Sequence, residues 1–252
     1  MDDRTFEALR HLVLDESGIA LGPGKRDLVA HRLSRRIAEL GLADEAAYFA
    51  FIRADPTGGE LGRLLDALAT NVSGFLRDPE QFEVLGRFLA GRLAEGAPRI
   101  RIWSAACATG EEAWSLALVV AETPGADAAD VRILATDLSG GALERAQAGV
   151  YEAERLEPID PVRRERWFRE RPDGRWEVGG ALRARVLFRR LNLSKPPFPM
   201  KGPLDAILCR NVMIYLDPDV RQALLAEFQR LLAPGGLLFV GSAETVSGGR
   251  PP

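Results

Sequence analysis

Apolar positions in the first quarter of the chain recur at three- and four-residue steps, which predicts amphipathic helices. Between residues 25 and 40 they share one face, and Gly41 follows as a helix stop. Residues 44–54 and 59–70 carry the same pattern. We therefore predict an all-helical N-terminal domain over residues 1–70.

From residue 100 onward the pattern changes to short apolar strands that alternate with helices, which is typical of a parallel sheet with crossovers. The predicted strands cover residues 100–103, 131–135, 204–209 and 237–240. The predicted helices between them cover residues 111–122, 141–148 and 218–232. The alternation predicts a doubly wound α/β sheet, which we assign to residues 99–252.

Residues 71–98 join the two halves as a linker and a connecting helix. Asp78 stands at the N-cap position, Pro79 at the first helical position and Gln81 three residues after the cap, which is a helix-start pattern. We expect this helix to run to about residue 94 and to lead into the first strand.

Residues 151–190 interrupt the strand–helix alternation. A charged helical stretch at 161–170 is followed by the turn signal Pro172-Asp173-Gly174, with strand-like pieces at 175–178 and 185–188. We interpret the whole segment as an inserted antiparallel β subdomain.

Composition excludes several classes of function. The chain has 252 residues and a formal net charge of -3, so it lacks the basic field that recruits nucleic acid. It has no apolar run of the roughly 18–20 residues needed to cross a bilayer and no apolar N-terminal signal, so we expect a cytoplasmic protein without membrane insertion. We also expect the protein to be a monomer. Two cysteines and two histidines without metal-ligand spacing argue against a metal site.

A positive stripe follows one face of the helix predicted at residues 25–40. It consists of Lys25, Arg26, Arg32, Arg35 and Arg36. A solvated face is the default interpretation of such a stripe, but acidic partners four residues away are almost absent, so a docking surface for an acidic partner is an equal alternative.

The loop after the first predicted strand is the first candidate ligand site, because open parallel sheets bind ligands at the carboxyl ends of their strands. It is a run of small residues, 104–110, with one glycine, and the next helix begins with Glu111 and Glu112. Two glutamates at a helix N-terminus would repel a pyrophosphate but not a cationic amino group. This favours S-adenosylmethionine over a dinucleotide.

The ends of the second and third predicted strands are also polar. Asp137 follows the second strand, where a carboxylate can accept both hydroxyls of a ribose; the alternative is an N-cap, for which Ser139 is better placed. Cys209-Arg210-Asn211 follows the third strand, and small polar residues at 70–73 of the linker could close over a ligand.

Taken in order, four motifs make the chain similar to the CheR methyltransferases, which methylate glutamate side chains of bacterial chemotaxis receptors. The motifs are Asn71-Val72-Ser73-Gly74-Phe75-Leu76-Arg77, Trp103 to Glu112, Ala135-Thr136-Asp137 and Cys209 to Tyr215. The resemblance covers nearly the whole chain. It implies a small helical domain followed by a Rossmann-like class I methyltransferase sheet with an inserted antiparallel β subdomain.

The resemblance also implies roles for individual residues. The residues that would contact S-adenosylmethionine, or its product S-adenosylhomocysteine, are Asn71, Ser73, Arg77, Glu112, Asp137, Asn192, Leu193, Cys209 and Arg210. Glu112 would lie near the methionine end and Asp137 at the ribose, with Asn192 and Leu193 beside the adenine. Arg77 and Tyr215 would orient the receptor glutamate, although Tyr215 could instead be a half-buried packing residue. The receptor would dock on the basic stripe.

Two alternatives stay open: a methyltransferase of this architecture with another acceptor, and a cofactor-binding signalling module without activity. Compared with family members that tether to the receptor C-terminus, the loop at 169–177 is short and charged, so we expect no dependence on such a tether. The family's final edge strand is also expected to be absent.

Overall fold

The computed structural model describes residues 1–55, 59–68, 73–242 and 244. In this part of the first 70 residues the chain forms helices α1 (Asp3–Ser17), α2 (Arg26–Glu39), α3 (Glu45–Ala54) and α4 (Gly59–Leu68). Their apolar faces meet in one core, in which Leu9, Leu33, Tyr48 and Leu64 are almost fully buried. The predicted helical domain is confirmed.

A five-stranded parallel sheet forms the centre of the second half of the chain. Its strands are β1 (Arg99–Ala105), β2 (Asp130–Asp137), β6 (Val186–Arg190), β7 (Leu204–Cys209) and β8 (Leu232–Val240). Their order is β6-β2-β1-β7-β8. From β1 the chain adds β2 and β6 on one side and then β7 and β8 on the other, so the order of the strands reverses between β1 and β7. Helices α5 (Pro79–Ala94), α6 (Glu111–Glu122), α7 (Gly140–Ala148) and α10 (Pro218–Leu231) accompany it. The doubly wound sheet is confirmed.

The inserted antiparallel sheet is smaller than predicted. It pairs β3 (Val150–Tyr151) with β5 (Trp176–Val178), and β5 with β4 (Phe168–Glu170). Helices α8 (Pro161–Trp167) and α9 (Gly180–Arg183) flank these strands. The prediction that residues 185–188 belong to this subdomain is wrong, because β6 pairs in parallel with β2 and extends the main sheet.

The start of α5 also differs from its prediction. Asp78 occupies the N-cap position, but it is in a left-handed conformation (φ 55°) and its side chain makes no capping bond. Its carboxylate instead lies 2.5 Å from a nitrogen of Arg210, because that buried guanidinium needs an anionic partner.

The helical domain packs directly on the sheet domain. The amide of Ala20 donates to the carbonyl of Tyr215 at 2.9 Å, and the amide of Asp217 donates to the carbonyl of Gly18 at 2.9 Å. Gly18 ends α1 with φ 70°, and a Cβ at this position would lie 2.6 Å from Cβ of Ser194. A glycine therefore allows both the left-handed helix end and the close approach of the domains. No helix in the described ranges is long and apolar enough to span a bilayer.

The basic stripe of α2 is largely partnered within the protein, which corrects the expectation that it has few local anions. Arg36 pairs with Glu60, whose side chain is 2% exposed, at 2.7 Å. Arg35 pairs with Glu39 at 3.1 Å, Arg26 with Asp3, and Arg32 donates to the carbonyl of Leu68 at 2.8 Å. The ammonium of Lys25 lies 4.7 Å from the centre of the Tyr215 ring.

Candidate active site

A cavity of about 1220 Å³, counted with its open mouth, lies at the carboxyl ends of β1, β2 and β7. This is the point at which the strand order reverses, where open α/β sheets bind their ligands. Its walls come from the loops after these strands, from the linker and from the helical domain. The domain contact described above therefore closes one side of the cavity.

The loop after β1 brings backbone close to the cavity. Ala106 and Ala108 have positive φ angles, 65° and 47°, and both line the cavity. Gly110 (φ 95°) ends the loop, and a Cβ there would lie 2.7 Å from Cβ of Ala146. Small side chains and one glycine thus let this loop turn sharply between the sheet and α7.

Asp137 is a buried carboxylate at the end of β2. One oxygen accepts from the amide of Ala108 and the other from the amide of Ser139, both at 2.8 Å. Burial raises the pKa of Asp137, and these two hydrogen bonds oppose the rise. The N-cap of α7 is Ser139, whose hydroxyl accepts from the amide of Ala142 at 2.9 Å, so Asp137 is not the cap. Each carboxylate oxygen retains acceptor capacity for a ligand hydroxyl.

Each of the two glutamates at the start of α6 is paired with an arginine. Glu112 accepts from the hydroxyl of Ser104 at 2.6 Å and from Arg210 at 3.3 Å. Glu111, which is 1% exposed, pairs with Arg155 from the insertion. The negative field expected at this helix start is therefore largely compensated. Burial nevertheless raises the pKa of Glu112 to about 7, against the lowering effect of the Arg210 charge.

The described part of the linker contributes Ser73, Gly74 and Arg77 to the cavity lining. Its backbone is bonded to the sheet domain, since the amide of Leu76 donates to the Ser115 hydroxyl at 2.9 Å. Arg77 is exposed, and its guanidinium makes no ion pair with any residue of the described ranges. Its positive charge thus lies in the cavity wall without an ion-pair partner among the described residues. Asn71 lies outside the described residues.

The loop after β7, the third strand predicted from the sequence, places Arg210 and Tyr215 in the cavity wall. Cys209, the last residue of β7, does not line the cavity. Cys209 is fully buried in β7, between β1 and β8, so the structure does not bring its side chain to the cavity. Burial also raises the pKa of both cysteine thiols. Tyr215 is half-buried, and no described residue bonds its hydroxyl.

Asn192 and Leu193 also line the cavity. The side-chain nitrogen Nδ2 of Asn192 donates to the carbonyl of Glu16 at 2.7 Å, and its side-chain oxygen Oδ1 accepts from the backbone amide of Ser194 at 2.9 Å. Asn192 therefore also ties the helical domain to the sheet domain. Leu193 is 8% exposed and presents an apolar surface of the kind that an adenine ring requires.

Several lining residues were missed by sequence reasoning. From the helical domain these are Ser17, Ile19, Leu65, Asp66 and Leu68. Sequence reasoning also missed Glu244, which is not a lining residue. Its carboxylate accepts from the amides of Gly241 at 2.7 Å and Asn211 at 2.9 Å, and so holds the loop that carries Tyr215. No motif signals these residues, because their roles depend on contacts between distant segments. Within the described ranges, His, Cys, Asp and Glu side chains form no group suited to a metal ion.

Two family models match the chain in the order of its domains. The model described as "CheR methyltransferase, all-alpha domain" matches residues 4–69, and "CheR methyltransferase, SAM binding domain" matches residues 71–251. The chain belongs to the CheR methyltransferase family. It is therefore an S-adenosylmethionine-dependent methyltransferase, as the sequence motifs predict.

Curated relatives extend this membership over both domains. The chemotaxis protein methyltransferase of Klebsiella aerogenes is 36% identical over 98% of this chain and 85% of its own length. That of Escherichia coli is 36% identical over 98% and 86%. Chemotaxis protein methyltransferase 2 of Pseudomonas aeruginosa is 38% identical over 95% and 85%.

The cavity of this CheR family member is chemically suited to S-adenosylmethionine. Asp137 offers acceptors to a ribose, Leu193 an apolar face to an adenine, and Glu112 a carboxylate to an amino group. The small-residue loop permits close approach of a ligand to the backbone. We expect these residues to hold the cofactor, with Ser73 and Arg210 completing the wall.

Proposed function

We propose that this enzyme acts in the cytoplasm and methylates glutamate side chains of a chemotaxis receptor for sensory adaptation. Its curated relatives are named chemotaxis protein methyltransferases, and the cavity lining offers groups that fit an anionic acceptor. The observation that carries the proposal is that one cavity is lined both by Arg77, which makes no ion pair in the described ranges, and by Tyr215, whose hydroxyl no described residue bonds.

A glutamate acceptor needs no general base. Its carboxylate, with an ordinary pKa near ~4.3, is already ionised at neutral pH. When bound, S-adenosylmethionine supplies a methyl group on a sulfonium, and the sulfur keeps the electron pair of the broken bond as the ester C–O bond forms. The protein's task is to orient the carboxylate and to exclude water.

Arg77 and Tyr215 are the residues we assign to that task. The guanidinium of Arg77 can draw an acceptor carboxylate to the entrance and hold it in a bidentate pair. The hydroxyl of Tyr215 can donate one hydrogen bond that sets the angle of attack. The contact of Lys25 with the Tyr215 ring, at 4.7 Å, restrains the position of that ring.

The test is transfer of labelled methyl groups from S-adenosylmethionine to purified receptor fragments, followed by release of methanol in base. Base-labile label on receptor glutamates is expected. Label on another acceptor, or cofactor binding without any transfer, would favour one of the two alternatives: a different methyl acceptor, or a signalling module without activity.

We also propose that the receptor docks on α2, through its exposed cations. Arg35 is the best probe, since its side chain is 80% exposed and its one ion pair within the described ranges is an exposed pair inside the helix. R35E should lower kcat/KM for the receptor several-fold at low salt, less at high salt, and leave cofactor affinity unchanged.

Arg87 on α5 offers a matched control for Arg35. Its side chain is 71% exposed, and it also pairs with a glutamate within its own helix, Glu83, at 3.9 Å. R87E should leave methylation of the receptor unchanged. Equal rates for R35E and the parent would mean that the stripe is only a solvated face.

Cofactor affinity should depend on pH through Glu112. The carboxylate attracts a ligand ammonium only when ionised, and its pKa is raised to about 7, so affinity should rise with pH. The ionised fraction increases roughly eightfold between pH 6 and pH 7.5. Calorimetry with S-adenosylhomocysteine should follow this increase in the parent but not in E112Q. The same pH dependence of affinity in both proteins would show that Glu112 does not bind the amino group of the ligand.

Methylation should not require a tether at the receptor C-terminus. The β4–β5 connection is tight, with the amide of Arg171 donating to the carbonyl of Arg175 at 2.8 Å and that of Gly174 to the carbonyl of Arg171 at 3.0 Å. Titration with the C-terminal peptide of the cognate receptor should show no micromolar binding. A large loss of methylation on deleting that peptide from the receptor would contradict this expectation.

A further inference from the structure

The linker is held at two of its carbonyl groups by two arginines. The carbonyl of Ser73 accepts from Arg155 at 2.9 Å, and the carbonyl of Arg77 accepts from Arg210. Each arginine also pairs with one of the consecutive glutamates, Glu111 and Glu112, that begin α6. The two ends of this linker segment are thus fastened to the same helix start by the same kind of bridge.

The two arginines differ in origin. Arg210 follows β7 and lies in the cavity wall, whereas Arg155 belongs to the 3-10 turn Ala153–Leu156 of the inserted segment and does not line the cavity. A single nitrogen of Arg155 contacts both Glu111 and the carbonyl of Ser73. The insertion also contacts this region through Tyr151, whose hydroxyl donates to the carbonyl of Thr109 at 2.7 Å and whose ring packs on Phe75. Arg155 differs from Tyr151 in that it hydrogen-bonds both the linker backbone and α6.

We propose that Arg155 is a positioning residue for the cofactor: it holds Ser73 against the start of α6 and so keeps the linker closed over the cavity. The inference rests on cofactor binding alone, not on the identity of the methyl acceptor. It gives the inserted subdomain a part in the affinity for S-adenosylmethionine.

Glu111 makes the bridge rigid. It is 1% exposed and accepts a second hydrogen bond from the hydroxyl of Thr109 at 2.7 Å, so its carboxylate is fixed relative to α6. Charge-assisted hydrogen bonds of this kind are stronger than neutral ones. Removing Arg155 frees the Ser73 carbonyl but leaves the bonds at Leu76 and Arg77 in place.

The test uses Arg155→Met, which keeps most of the aliphatic stem and loses the guanidinium. If the linker is then closed for roughly a tenth of the time, the Kd for S-adenosylhomocysteine rises about tenfold, because apparent affinity scales with the competent fraction. The KM for S-adenosylmethionine should rise by the same factor. The kcat at saturating cofactor should change less than about twofold, because bound cofactor restores closure.

Arg163→Met is the matched control. Arg163 also comes from the insertion and pairs with α6, at Glu122 near the other end of that helix, at 2.7 Å. Among the described residues, its side chain bonds neither the linker nor the loop after β1. Its loss should leave the Kd for S-adenosylhomocysteine unchanged.

A second variant separates positioning from charge compensation, because Arg155→Met leaves Glu111 buried without its cation. In R155M/E111Q that uncompensated charge is removed, but the Ser73 carbonyl stays free. We expect thermal stability to return toward the parent value while the Kd stays about tenfold raised. Recovery of both stability and affinity in R155M/E111Q would overturn the proposal, as would an unchanged Kd in R155M.

Discussion

Asp137→Ala is expected to weaken binding of S-adenosylhomocysteine by about 100-fold. Two charge-assisted hydrogen bonds to a ribose contribute roughly 1.5–3 kcal/mol each, and water that replaces the carboxylate recovers part of this binding free energy. The carboxylate lies at the end of β2 and already accepts from the amides of Ala108 and Ser139. A ligand hydroxyl adds to a group whose orientation is fixed beforehand. Titration calorimetry measures the loss directly.

Asp130 provides the control at the opposite end of the same strand. It is paired with Arg101 and Arg132, away from the cavity, so D130A should bind the ligand as the parent does. An analogue without ribose hydroxyls distinguishes a lost contact from a disturbed loop. D137A should cost this analogue little, and an equal loss for both ligands would remove Asp137 from the ribose.

Arg36→Glu is expected to destabilise the helical domain by about 3–5 kcal/mol, because it removes one partner of a buried ion pair and adds a like charge. Arg36 makes two 2.7 Å hydrogen bonds with Glu60, which also accepts from the hydroxyl of Tyr48 at 2.9 Å. Burial alone would raise the pKa of Glu60, but the bonds from Arg36 and Tyr48 hold it below its ordinary value. The pair therefore stabilises the fold above the unfolded pKa of a glutamate and loses this effect as pH falls.

Arg35→Glu, one position earlier, is the comparison. Its side chain is 80% exposed, and a surface substitution of this kind changes stability by no more than roughly 0.5 kcal/mol. Thermal or urea denaturation should separate the two variants clearly. Equal stability of R36E and R35E would show that the ion pair of Arg36 with Glu60 does not stabilise the fold. For the same reason Arg36 is unsuitable as a probe of receptor docking.

The helical domain has two roles in this arrangement. It presents the exposed cations of α2 to the solvent, and it supplies Ile19, Leu65 and Asp66 to the wall of the cavity. Lys25, at the start of the stripe, contacts the ring of Tyr215. The proposed docking surface and the proposed acceptor site therefore adjoin each other where Lys25 contacts Tyr215.

The sequence by itself was sufficient for most of the elements and for many of the residues that line the cavity. Helical periodicity located α2 and α3, and the apolar runs located β1, β2 and β7, because local burial patterns depend on neighbours in the chain. Strand ends in a parallel sheet converge, so Glu112, Asp137 and Arg210 could be assigned to one site before any coordinates. The resemblance to CheR methyltransferases then added Asn192 and Leu193 and assigned roles to individual linker residues.

Only the tertiary structure decided which charged groups are available to a ligand. Arg36 and Arg35 are adjacent arginines on one helix, yet one is buried against Glu60 and the other is exposed. β6 looked like part of the insertion but pairs with β2. Such outcomes depend on partners that are distant in the chain, as Arg155 is from Ser73, and a charge in a low-dielectric interior must find its counterion wherever the fold brings one.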